Sequence, residues 1–226
     1  MFDILLQIDS TKAATELLSQ KSENVWGVLA KGGLLMIPLL SLLVVAIFFF
    51  IERWITIRKA AKIEDNFMSI IRDNIISGNV TAARNLAKNT NNPVAKVIDK
   101  GIQRIGKPID AIEKSMENVG KLELYKMEKN ITILSVIARI APLFGFVGTI
   151  VGLVILLKEF ATISNPSISQ IADAMYIKLI TSASGLIIGM LAYLGYSYLD
   201  TQVNRMANKM ENASSEFIDI LQEPTR

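Results

Sequence analysis

The apolar residues of this chain fall into three blocks, each too long for a strand or an ordinary core helix. The first runs without a charge from Gly32 to Ile51, the second lies between Arg139 and Lys158, and the third extends from Leu179 to Leu199. A bilayer-spanning helix needs about 20 predominantly apolar residues, so the pattern predicts three transmembrane helices. Lys31 precedes the first span, and Glu52, Arg53 and Trp54 follow it, a charged and aromatic boundary suited to lipid headgroups. Pro38 falls near its start, where a membrane helix tolerates a kink.

Between the first two spans the pattern changes to polar residues with apolar ones at helical spacing. Ile63, Phe67, Ile70 and Ile71 form one such set, Val94, Val97, Ile98 and Ile102 a second, and Ile109, Ile112, Met116 and Val119 a third. Turns are expected at Ser77-Gly78-Asn79, at 89–93 and at Gly106-Lys107-Pro108, with Pro108 opening the next helix. After Pro108 no breaker stronger than Gly120 intervenes before the second span. A single helix over 110–157 would be about 70 Å long and would project clear of the bilayer. After the second span, Ser164-Asn165-Pro166-Ser167 supplies a turn. Beyond the third span, Leu199, Val203, Met206, Met210, Ala213, Phe217 and Ile220 alternate spacings of four and three. That heptad stripe predicts packing in water against another helix, either the chain's own long helical segment or a neighbouring subunit.

The fold class is therefore all-α membrane protein, with three spans and a long helical extension. The expected organisation is an outer segment at 1–31, spans at 32–51, 131–157 and 174–199, a helical domain at 52–130, a short connector at 158–173 and a helical tail at 200–226. Asp3 and Asp9 stand where a cleaved signal would be basic, so the first apolar block is expected to remain in the mature protein. Arg53, Arg58, Lys59, Lys62 and Arg72 follow the first span, and Lys121, Lys126, Lys129 and Arg139 precede or open the second. Positive-inside then places the helical domain and tail in the cytoplasm, and the N-terminus and connector outside.

Composition narrows the chemistry. The chain has 226 residues, 51% hydrophobic, and a net charge of +3, which makes no case for nucleic-acid binding. Cysteine and histidine are both absent, which removes disulfides, thiol nucleophiles and imidazole chemistry. No nucleophile–base pair, metal cluster or phosphate loop can be assembled, so neither an enzyme nor a cofactor is expected.

The last two spans carry small residues where lipid anchors would carry leucine. Gly145, Gly148 and Gly152 share a face of the second span beside Thr149, and Thr181, Gly185, Gly189 and Ala192 form a stripe on the third, flanked by Ser182 and Ser184. Such stripes permit close helix packing in lipid. Hydroxyls at membrane depth tend to face a bundle interior or a wet cavity, although each can also bond to a carbonyl one turn back. Arg139 and Lys178 lie near enough to an interface to snorkel, and Asp173, five residues before Lys178, is within reach of pairing with it. No carboxylate lies deep in any span, so proton chemistry would need an acid from a partner.

At Ala141-Pro142-Leu143-Phe144-Gly145-Phe146-Val147-Gly148-Thr149-Ile150-Val151-Gly152, with Leu179-Ile180-Thr181-Ser182-Ala183-Ser184-Gly185-Leu186, the sequence resembles the ExbB/TolQ/MotA family of proton-channel proteins. The predicted topology matches ExbB and TolQ; flagellar MotA-type stators have four spans. The resemblance implies a homo-oligomeric ring, typically a pentamer, whose second and third spans line a pore. It implies a single-span ExbD-like partner that brings an essential aspartate, and a TonB-like protein that transmits the motion. By position, Thr149 and Ser182 match the family's pore-facing hydroxyls, with Thr181 adjacent and Ser184 nearby. The family's frequent glutamate in the third span is replaced here by Ile177, followed by Lys178. That leaves hydroxyls, water and the partner's aspartate to carry protons, with Lys178 and Asp173 as charges at the pore mouth. A TolQ-type role in outer-membrane constriction and a non-conducting membrane scaffold are the alternatives.

Overall fold

A computed structural model describes residues 36–61, 66–162 and 167–223. Within them the chain forms α1 (Met36–Ala60), α2 (Phe67–Ile76), α3 (Val80–Asn89), α4 (Pro93–Ile102), α5 (Ile109–Glu128), α6 (Ile131–Phe160) and α7 (Ile168–Gln222), and the described residues include no strand. Three of these helices contain stretches long and apolar enough to cross a membrane: Met36–Ala60, Ile131–Lys158 and Lys178–Gln222.

The expected turns between the short helices all occur, each with its own local chemistry. Gly78 and Gly106 adopt φ of +76° and +89°, where a side chain would be strained. Asn79 caps α3 by accepting from the Ala82 amide at 3.2 Å. Asn92 caps α4 by accepting from the Val94 amide at 2.7 Å, and Pro93 occupies the first helical position, where its missing N–H costs nothing. Pro108 caps α5.

One expectation is corrected. The helix does not run unbroken over 110–157: α5 ends at Glu128 and α6 begins at Ile131. Lys129 is extended (ψ 132°) and Asn130 takes φ of 70°. Asparagine is among the few residues that visit the left-handed region at little cost, so the break needs neither glycine nor proline. Gly120, by contrast, sits inside α5 without interrupting it. Within α6 the helix continues through Pro142, whose ring removes the amide that would have bonded to the Ala138 carbonyl.

The chain divides into two compact units. One contains Ser41–Ala141 and the described residues from Ile188 onward. Its core joins Ile57 of α1, Phe67 and Ile71 of α2, Ala83 and Ala87 of α3, Val97 and Ile98 of α4 and Met116 of α5 to α7. The α7 contribution is the heptad stripe: Leu199, Val203, Met206, Met210, Ala213, Phe217 and Ile220 are all buried. The partner that the stripe predicted is thus the chain's own helical domain. At Gly101 the stripe packs close: a Cβ there would stand 2.6 Å from Phe217 Cε1 and 2.7 Å from Met116 Sδ.

Polar contacts tie the same unit together. The fully buried Asn92 donates from Nδ2 to the Ala60 carbonyl at 2.6 Å, so one side chain both ends α1 and starts α4. Arg53 pairs with Glu52 at 2.5 Å and reaches the Lys126 carbonyl at 3.4 Å, near the negative end of the α5 dipole. Glu123 accepts from Lys126 at 2.6 Å and from Lys96 of α4 at 2.9 Å. Burial raises its pKa, yet the two ammonium groups outweigh it and hold the carboxyl below 4.5.

Candidate functional site

The second unit contains Pro142–Ile187 with the described residues up to Leu40, and it holds both motif strings except Ala141. Here α6 and α7 form an antiparallel hairpin, fixed by two contacts. A Cβ on Gly145 would lie 3.1 Å from both the Ser182 Cα and the Ser182 carbonyl oxygen, and 3.2 Å from the Thr181 carbonyl oxygen. Two turns along α6, the stem of Lys178 lies across Gly152, with Cγ and Cε 2.8 and 2.9 Å from where a Cβ would stand. Gly145 and Gly152 thus admit the other helix where any side chain would push it away.

The hydroxyls divide by environment. Thr181 is buried beside the Gly145 contact, whereas Ser182 and Ser184 are half-buried. Thr149, also half-buried, donates to the Phe146 carbonyl at 2.7 Å. Its proton is thereby committed to its own helix, while the oxygen keeps lone pairs able to accept from water or another chain. Gly148 and Gly185 are buried, as is Gly189 in the other unit. The structure thus brings Gly145 to Thr181 and Ser182, and Gly152 to Lys178.

The charges near the spans are few. Arg139 donates to Ser135 Oγ at 2.9 Å. Lys178 is half-buried and makes no ion pair among the described residues. Asp173 and Ile177 belong to α7, and their side chains lie outside the described ones. The described residues hold no group of three acidic, histidine or cysteine side chains able to bind a metal. What the sequence reading missed was the seating of Lys178 on Gly152. Spacing along one helix groups residues by face but cannot register them across a hairpin.

Around the hairpin the surface is apolar. Leu143, Phe146, Val147, Val154 and Leu157 of α6 and Leu179, Leu186 and Ile187 of α7 are exposed. A soluble protein does not present so many large apolar side chains; hydrocarbon or other transmembrane helices must cover them. Fold and surface together define an all-α membrane protein.

Residues 89–212, more than half the chain, match the MotA/TolQ/ExbB proton channel family. The chain belongs to that family. A relative in Methanothermobacter thermautotrophicus, named a biopolymer transport protein ExbB homolog, is 27% identical over 120 residues, which cover 53% of this chain and 42% of the relative. Biopolymer transport protein exbB1 of Vibrio cholerae is 29% identical over 89 residues, 39% of each chain. An ExbB-like biopolymer transport protein of Synechocystis is 24% identical over 195 residues, 83% of this chain and 75% of the relative. The chain therefore spans about two fifths of the length of the first two relatives.

Proposed function

We propose that this chain is the ExbB-like stator subunit of a motor driven by the proton-motive force, which energises TonB-dependent transport across an outer membrane. In this reading several copies, typically five, form a ring in the bacterial inner membrane with the N-terminus in the periplasm. Their α6 and α7 hairpins surround a shared path. A single-span ExbD-like chain enters it and brings the proton-carrying aspartate, and a TonB-like protein carries the motion outward.

The observation that supports this most is the meeting of the two motif strings at Gly145 and Ser182. Backbone contact there holds the hydroxyls of Thr149, Thr181 and Ser182 on one rigid hairpin. The sequence has no carboxylate from Leu143 to Leu157 or from Leu179 to Leu199, so the hairpin can line a proton path but cannot supply its acid. Lys and Arg flanking the spans support the orientation. The ExbB names of the relatives favour the TonB-type role over outer-membrane constriction of the TolQ type.

The test is growth on a scarce iron complex in cells whose only copy of this subunit is the variant. Thr149→Val and Ser182→Ala remove hydroxyls with little change of volume and are expected to slow uptake while leaving subunit levels in the membrane unchanged. Unimpaired uptake by the double variant would mean a scaffold.

A further inference from the structure

We infer that Lys178, seated on Gly152, is the counter-charge that receives a carboxylate carried by another transmembrane chain. This rests on the proposed function above and specifies how the hairpin recognises its partner.

The register of the hairpin sets the depth of the lysine. With Ser182 opposite Gly145, the residue level with Gly152 is near 175. The Lys178 Cα is then about three residues, or roughly 5 Å, deeper along the hairpin. From there the stem leans toward the N-terminal end of α7, as helical side chains do. A lysine that needed only to reach headgroups could climb along the lipid-facing side and would require no glycine on the neighbouring helix. This one climbs over α6, where Cγ and Cε occupy space that any side chain at position 152 would fill. The stem is held by packing, so the ammonium is delivered to the hairpin rather than to lipid.

A cation so placed needs an anion. Ionisable groups within membrane segments pair with one another, because an uncompensated charge is costly there. Lys178 has no acidic partner among the described residues. Neither apolar stretch of the hairpin contains a carboxylate. An acid on a second membrane-spanning chain satisfies the charge, and the fixed stem restricts where that acid can dock.

The experiment uses the complete complex at native levels and follows proton-motive-force-dependent uptake together with the amount of subunit in the membrane. Lys178→Gln and Lys178→Glu are expected to lower uptake at least about tenfold at normal membrane levels, as loss of one partner of a desolvated pair does. Lys178→Arg, which keeps the charge, should recover most of that loss. Gly152→Ala should lower uptake with the lysine still present, because it displaces the stem. Lys178→Glu should also lose the single-span partner on co-purification in detergent, whereas Lys178→Arg should retain it. Restoration of uptake to Lys178→Glu by Asp173→Lys, or retention of the partner by Lys178→Glu at wild-type levels, overturns the inference. Normal uptake in Lys178→Gln while Thr149→Val is defective also overturns it and leaves the proton path standing. Normal uptake in both variants removes the proton path as well.

Discussion

Gly145 meets Ser182 backbone to backbone: a Cβ added to the glycine would stand 3.1 Å from the Ser182 Cα and from its carbonyl oxygen. Main chain on both sides has little room to give. A contact of this kind fixes how α6 and α7 lie against each other more firmly than any pair of flexible side chains.

Gly145→Ala should therefore destabilise the detergent-solubilised protein by about 1–3 kcal/mol, the usual cost of overpacking, and Gly145→Val by more. Gly120→Ala is the control. A Cβ there meets only Val97 Cγ2 at 3.9 Å. Relief of glycine's backbone entropy inside α5 should then stabilise by about 0.5–1 kcal/mol. Midpoints of thermal unfolding followed by circular dichroism would show the opposite signs; a loss of stability in both would contradict the packing described.

Gly101→Ala should cost about 1–3 kcal/mol, because the new methyl overlaps Phe217 and Met116. The tip of the Phe217 ring is the nearest obstacle, so Phe217→Leu should make the glycine substitution less costly than it is in the native background. A double-mutant cycle on urea midpoints reads this directly, and strict additivity would show that the two residues do not meet.

Asn92→Ala removes the cap of α4 and the donor to Ala60 with one substitution. In a fully buried position that should cost about 1–3 kcal/mol. Asn92→Asp keeps the acceptor for the Val94 amide but sets a carboxylate against the Ala60 carbonyl, and should be no better than alanine. Amide exchange at Val94 and at the C-terminal turn of α1 would locate the loss.

Glu123 predicts an acid-sensitive step. Its carboxyl titrates below 4.5 in the folded chain, while burial raises and Lys126 and Lys96 lower it. On unfolding it returns to its ordinary value, so near pH 4 the unfolded state binds more protons. The stabilisation is complete above pH 4.5 and fades as pH falls through the lower folded value. Urea midpoints measured from pH 7 down to 3 should fall more steeply in the native chain than in Glu123→Gln. Parallel curves would remove this pair of ion bridges from the account.

The three spans, the turns at 77–79, 89–93 and 106–108, and the stripe from Leu199 to Ile220 were all legible in the chain. Each depends on local spacing or on the conformational limits of glycine, proline and asparagine, which neighbours along the sequence decide. The motif strings were legible too, as were the hydroxyls and glycines that compose them. Three things were settled only in three dimensions. The heptad stripe needed a partner, and the core around Ile98, Met116 and Phe217 supplied one from the same chain. The helix break at Asn130 follows from one backbone conformation that asparagine permits but does not require. The pairing of Gly145 with Ser182 and of Gly152 with Lys178 depends on the register of an antiparallel hairpin, and no period within a single helix encodes it. The sequence thus determined which faces are small, apolar or charged, because those are properties of side chains in order. Which faces meet was left to the tertiary structure, because contact across helices depends on how they pack.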